Sequence, residues 1–207
     1  MSHYFEYDKN LKSDKRQVKY YIKGQELSFT SDIGVFSKNA VDFGTKTLID
    51  VSLDHCFDGH GLDLGCGIGI VGITMMMAGK NLVFDMVDIN ERSVGLTKEN
   101  ASKYHLDEKC FISVSDGFEN IIKKDYDFIL TNPPIRAGKK VVYSFFEGSY
   151  EHLKQGGILL VVIQKKQGAP SAKEKLESIF DNCEIVEKNK GYYILKCIKK
   201  IKSTTAD

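Results

Sequence analysis

The sequence predicts an α/β domain: a mostly parallel sheet of seven strands, helices on both faces, an antiparallel hairpin closing one edge, and a small β-hairpin in front. Three observations predict it. From about residue 60, short apolar runs such as "LVFDMVD" and "GILLVVI" alternate with helical stretches such as "ERSVGLTKENASKYH", the pattern of βαβ units. A glycine-rich turn, "LDLGCGIGIVGIT", joins the first run to the next helical stretch. The end, "EIVEKNKGYYILKCIKK", reads as two strands joined at Asn189-Lys190-Gly191.

The elements follow in order. Residues 1–35 read as an N-terminal extension carrying a hairpin, because "QVKYYIKGQELSFTS" alternates apolar and polar residues around Lys23-Gly24. Residues 36–200 form the main domain, and 201–207 a fraying tail. "SKNAVDFGTKTLIDVSL" suits a helix capped by Ser37 or Asn39, with Val41, Leu48 and Ile49 inward; Gly44 counts against it. Strands then fall at "GLDL", "LVFDMVD", "CFISVS", "YDFILT" and "GILLVVI". Helical stretches between and after them are "IVGITMMMA", "ERSVGLTKENASKYH", "FENIIKK", "YSFFEGSYEHLK" and "SAKEKLESIF". In such sheets ligands bind beyond the C-terminal strand ends.

Composition narrows the classes. With 207 residues, 42% hydrophobic and 28% charged, the chain suits one globular domain. It has no 18-residue apolar run and no apolar signal core near its start, so neither a membrane span nor export is expected. The five cysteines (Cys56, Cys66, Cys110, Cys183, Cys197) are scattered and form no C-x-x-C pair. That argues for reduced thiols in a cytoplasm and against a metal site. The formal net charge is +1, so a nucleic-acid partner would need a local basic surface.

The glycine turn has two readings. Gly67, Gly69 and Gly72 form G-x-G-x-x-G with Asp88 about 20 residues on, as in dinucleotide sites. Alternatively, Asp63 leads a loop through Gly65, Cys66, Gly67 and Gly69. A carboxylate at the mouth of that loop would repel a pyrophosphate and suit an ammonium group, directly or through water. This second form resembles motif I of class I S-adenosylmethionine methyltransferases. Asp88, followed by Ile89, suits ribose hydroxyls, and Asp116-Gly117 suits either the adenine amine or an ordinary turn.

The chain has only three prolines, and two stand together at "TNPPI". The lone pair of an exocyclic amine or a carboxamide is delocalised and poorly nucleophilic. The segment resembles motif IV of the amino-methylating members of that methyltransferase class, Asn/Asp/Ser-Pro-Pro followed by a bulky residue. The resemblance implies that two acceptors on the amine's two hydrogens, the Asn132 side-chain oxygen and the Pro133 carbonyl, localise the lone pair and aim it; a plain strand end with an Asn turn is the alternative. Pro133 and Pro134 hold those acceptors rigid and add no competing N–H. Such positioning lowers a barrier by several kcal/mol, on the order of 2–4. Methylation at cytosine carbon 5 needs a thiolate, and no cysteine lies near this segment.

The segments "DIGVFSKNAVDFGTKTLID", "GLDLGCGIGIVGI", "DINERSVGLTKENA", "TNPPIRAGKKV" and "LVVIQKKQGAPSAKEKLESIF" together resemble the ribosomal RNA small subunit methyltransferase C family, in its single-domain bacterial form. The resemblance implies a Rossmann-like class I methyltransferase using S-adenosyl-L-methionine, with guanine N2 of 16S ribosomal RNA as acceptor. It implies ribosomal RNA or the small ribosomal subunit as partner. Residues 65, 67, 88, 116 and 132 match its cofactor or catalytic motifs, and Phe36-Ser37 a motif near the pocket. Ile135 would face the acceptor, and Arg136, Lys139 and Lys140, with Lys165 and Lys166, would hold phosphates. Protein-glutamine N-methyltransferases share this acceptor geometry. A non-catalytic domain binding the cofactor or RNA is the reading from another class, and the intact motifs count against it.

Overall fold

The computed structural model describes residues 12–36, 40–56, 58–79 and 81–200. Two strands, β1 (Arg16–Ile22) and β2 (Gln25–Ser31), pair antiparallel through a two-residue turn. Lys23 and Gly24 both have positive φ there, the geometry whose twist suits tight hairpins. The predicted hairpin is therefore present. It is no loose appendage, because Val18, Tyr20, Leu27 and Phe29 are all buried in the main core. Each contributes about 1.5–3 kcal/mol by burial, which a free two-stranded hairpin lacks.

The remaining strands are β3 (Gly59–Leu64), β4 (Leu82–Asp88), β5 (Cys110–Val114), β6 (Tyr126–Thr131), β7 (Leu153–Gln164), β8 (Glu184–Asn189) and β9 (Tyr192–Ile198). They form one sheet in the order β5-β4-β3-β6-β7-β9-β8. The pairs from β5 to β7 are parallel; β9 is antiparallel to both β7 and β8. The mostly parallel seven-stranded sheet with a closing hairpin is as the sequence predicts. The turn itself is Lys190-Gly191, since Asn189 still belongs to β8.

Helices α1 (Phe43–His55), α2 (Ile70–Ala78) and α3 (Glu91–Lys103) cover one face. Helices α4 (Lys139–His152) and α5 (Ala169–Phe180) cover the other. Two expectations need correction. Helix α1 begins at Phe43 and its cap is Asp42, whose carboxylate accepts from Thr45 N–H. Ser37 and Asn39, the expected caps, lie outside the described residues, as does the tail 201–207. Gly44, which counted against the helix, is required: a Cβ there would sit 2.7 Å from the Tyr192 ring.

The second correction is "FENIIKK", which forms turns instead of a helix. Ser115 Oγ accepts from Asn120 N–H, Gly117 has φ 54°, and Ile122 is 93% exposed. Phe118 and Ile121 pack from these turns against the core on the α4–α5 face, and a segment this short cannot offset the cost of nucleating a helix.

One fully buried amide joins three segments. Asn100 of α3 accepts from Thr30 N–H (2.7 Å) and donates to Thr30 O (3.0 Å) and Ile68 O (2.9 Å). It ties the N-terminal hairpin and the glycine turn to one helix. Replacing Asn100 by Ala strands a buried donor and two acceptors. Asn100→Ala should lower the free energy of unfolding by on the order of 2–4 kcal/mol in a denaturant titration. A loss below 0.5 kcal/mol would show that the amide is not a structural joint.

Candidate active site

The central strand β3 lies between β4 and β6, so the chain reverses its winding direction there. The C-terminal ends of these strands diverge and open a cleft of about 640 Å³. Its floor is the turn between β3 and α2. Gly65, Gly67 and Gly69 have φ of 76°, 58° and 83°, values that side chains rarely tolerate. The turn is held from below: Gly65 N–H and Cys66 N–H both donate to Val87 O. It is held from behind by α3, where Thr97 Oγ1 donates to Gly67 O at 2.8 Å.

Asp88 ends β4 and faces the cleft. Its Oδ2 accepts from Gly67 N–H (2.9 Å) and its Oδ1 from Asn90 N–H (2.8 Å). Burial raises its carboxyl pKa, and these N–H groups oppose the rise. Each oxygen keeps a further acceptor position, so the carboxylate is fixed in place yet able to bind. Ile89, Asp116 and Gly117 line the same cleft, with Asp116 exposed at its side.

Asp63 is placed differently from the expectation. It is not at the mouth of the turn but beneath it, 2% exposed, with Oδ2 accepting from Gly72 N–H at 3.0 Å. Burial, with the charge of Asp88 adding, pushes its carboxyl up to about 7 against that hydrogen bond. It borders a second cavity of about 30 Å³, enough for about one water, which shares Phe36, Gly65, Gly67 and Asn132 with the cleft. The Cys66 side chain also lies behind the turn, 3.7 Å from Thr97 Oγ1, and its thiol pKa is raised well up by burial. It borders only the small cavity.

Strand β6 ends at Thr131, whose hydroxyl donates to Leu64 O and pins β6 to β3. Asn132, Pro133, Pro134 and Ile135 follow along the cleft wall. The Asn132 amide nitrogen donates to Thr45 Oγ1 at 3.1 Å. Among the described residues no donor reaches Asn132 Oδ1 or the Pro133 carbonyl. Both residues line the cleft.

The mouth holds Phe36, 61% exposed, so it is not a core residue. Arg136 lies on the rim. Lys139 and Lys140 are exposed on the first turn of α4, and Lys165 and Lys166 on a short turn before α5; none of the four lines the cleft. Several lining residues escape sequence reading. Asp42, the cap of α1, and Tyr192 of β9 are far apart in sequence and line the same cleft, where Gly44 lets the Tyr192 ring lie close to the helix start. Phe145 of α4 passes under Gly65 and Gly117, and Gln167 stands at the rim. None carries a local motif that would have singled it out.

The chain is similar to several known proteins. The methyltransferase small domain model matches residues 26–196. The Bacillus subtilis protein YbxB, itself uncharacterized, is 48% identical over 95% of this chain and 98% of its own length. Two proteins of Psychromonas ingrahamii match more distantly. Ribosomal RNA small subunit methyltransferase C is 30% identical over 92% of this chain and 55% of its own. Ribosomal RNA large subunit methyltransferase G is 29% identical over 88% of this chain and 48% of its own. The chain therefore spans about half the length of these two ribosomal RNA methyltransferases. A 16S rRNA N2 methyltransferase of T. thermophilus, solved with AdoMet and guanosine, superimposes with a TM-score of 0.81 at 24% identity, over 92% of this chain and 52% of that one. With the glycine turn and the Asn-Pro-Pro strand end in place, the chain belongs to the methyltransferase small domain family, as a relative of the ribosomal RNA small subunit methyltransferase C proteins.

Proposed function

We propose that the protein transfers a methyl group from S-adenosylmethionine to an exocyclic amine of a ribosomal RNA base, guanine N2 of 16S RNA. The observation that carries this reading is the pair of open acceptors, Asn132 Oδ1 and the Pro133 carbonyl, beside a glycine-floored cleft. The names of the matching relatives support the RNA substrate. Residues 36–200 act as the catalytic domain, with the β1–β2 hairpin packed against its core.

The cleft fits the cofactor. Its volume of about 640 Å³ lies within the usual range for small-molecule sites. The glycine floor lets a ligand approach the backbone closely. Asp88, already oriented by two N–H groups, would take the ribose hydroxyls, and Asp116 with Gly117 the adenine edge. Asp63 would reach the amino group through the small cavity, across about one water. When bound, S-adenosylmethionine supplies an electrophilic methyl carbon.

The acceptor amine enters over Ile135, which offers an apolar surface beside the base. Asn132 Oδ1 and Pro133 O would accept hydrogen bonds from its two hydrogens and leave the nitrogen lone pair free to face the methyl carbon. Its attack there would form the nitrogen–carbon bond as the carbon–sulfur bond breaks, the surplus proton on nitrogen passing to water. No dedicated base is needed. Guanine N2 is paired in a duplex, so the base must be unpaired or flipped, which costs a few kcal/mol, about 2–4. Arg136, Lys139 and Lys140 would hold the flanking phosphates.

Ribosomal RNA from a strain lacking the gene, incubated with the protein and radiolabelled S-adenosylmethionine, should gain label in 16S RNA as N2-methylguanosine. Label in 23S RNA, in another nucleoside, or on a protein glutamine would overturn the assignment of target.

The two halves of the site separate by mutation. Asp88→Ala should weaken S-adenosylmethionine binding at least tenfold in calorimetry. Asn132→Ala should bind it nearly as well as the wild type and turn over about 100-fold more slowly. Wild-type turnover by Asn132→Ala would reduce the Asn-Pro-Pro segment to a strand end.

A pH dependence follows from Asp63. With its carboxyl raised to about 7, it is largely protonated near pH 6 in the free protein. A nearby ammonium favours the ionised form, so binding expels a proton. Affinity for S-adenosylmethionine should rise several-fold from about pH 6 to about pH 7.5. Asp63→Asn should flatten that rise; an unchanged pH profile would remove Asp63 from the amino-group site.

A further inference from the structure

The first turn of α1 stands against the acceptor site and makes a directed chain of hydrogen bonds there. Asp42 caps the helix: its Oδ1 accepts from Thr45 N–H at 3.1 Å and its Oδ2 from the Thr45 hydroxyl. Thr45 Oγ1 in turn receives the Asn132 amide nitrogen at 3.1 Å. Thr45 is buried, and Asp42 borders the cleft.

The direction of this chain is fixed by the number of protons. A carboxylate can only accept, so the Thr45 hydroxyl must give its one hydrogen to Asp42. It then has only lone pairs to offer Asn132. An amide has two faces of nearly equal shape, one donating and one accepting. Facing a lone pair, Asn132 must present its NH2 to Thr45. Its oxygen is thereby turned away from Thr45 and stays available to accept. Were the amide flipped, its NH2 would meet the acceptor amine donor to donor, and the site would repel the group it has to orient.

We propose that Thr45, polarised by Asp42, is a positioning residue that selects the amide orientation of Asn132. The proposal rests on the reading of Asn132 as the acceptor of an amine hydrogen. It adds that this role is imposed by a helix cap almost ninety positions earlier in the chain. Gly44, between the cap and Thr45, lets this turn pack closely on β9: a Cβ there would sit 2.7 Å from the Tyr192 ring, and ring or turn would have to shift.

Thr45→Val keeps the shape and removes the hydroxyl. With ribosomal RNA from the deletion strain, its kcat should fall about 10- to 100-fold. The calorimetric Kd for S-adenosylmethionine and the RNA KM should stay within about twofold of wild type. Thr45→Ser, which keeps the hydroxyl, should restore most of the turnover. Asp42→Asn is the second probe, since Asn caps a helix as well as Asp does. It turns an N–H toward Thr45, reverses the hydroxyl, and should cost as much turnover as Thr45→Val while leaving the thermal midpoint within a few degrees. In the free protein, the Asn132 side-chain NH2 protons should exchange more slowly in the wild type than in Thr45→Val. Wild-type kcat in Thr45→Val, alongside a slow Asn132→Ala, would overturn the relay and leave the function standing. Wild-type kcat in Asn132→Ala would overturn both. Should Thr45→Val fail to fold, full turnover by Asp42→Asn refutes the relay on its own.

Discussion

The glycine floor of the cleft depends on being held from behind. Glycines at positive φ have the largest entropy to lose on folding, and a turn made of them does not hold itself. Here α3 does the holding: Thr97 takes the carbonyl of Gly67 and Asn100 that of Ile68. With those carbonyls bound to α3, the conformation that leaves Gly67 N–H to Asp88 is fixed. Asn100 also binds both backbone groups of Thr30, so the N-terminal hairpin and the floor share one anchor. Damage to the hairpin reaches the cofactor cleft through this amide.

The same economy governs the other wall. Asp42 serves as helix cap and as cleft lining, and Thr131 closes the seam between β3 and β6 just before the chain turns into Asn132. Several groups of the cleft thus have a structural partner on the side away from it, as the Asn132 amide nitrogen has in Thr45. Asp88 shows the rule most plainly, with one N–H on each oxygen and acceptor capacity to spare.

Much of the fold was legible in the sequence because buried parallel strands are predominantly apolar, and hairpins carry their turn residues with them. "LVFDMVD" and "GILLVVI" are strands for the first reason, and Lys23-Gly24 marks a turn for the second. Legibility failed where an outcome hung on distant partners. Gly44 lowers local helix propensity, yet the Tyr192 ring demands it. "FENIIKK" has helix-forming residues, yet turns suffice to bring Phe118 and Ile121 onto the core, and the segment is too short to nucleate a helix. In the site, the motif residues 65, 67, 88, 116 and 132 all border the cleft, because local backbone geometry decides their placement. Asp63 and Cys66 were misplaced relative to the cleft, since sequence gives the order of residues along a turn and not which side of it faces the ligand. Tyr192, Phe145 and Gln167 were invisible for want of any local signature.

The position of Tyr192 has a consequence for how the protein matures. Its strand, β9, is the last of the described strands in the chain, yet it inserts between β7 and β8 rather than adding at the outside. The acceptor wall pairs Tyr192 with Gly44, residues separated by most of the chain. Such a contact closes a long loop and forms late in folding. During synthesis the glycine floor and the β3–β6 core can assemble while β9 is still inside the ribosome. The wall that Tyr192 completes is therefore finished only after β9 has been made, later than every segment of the glycine floor.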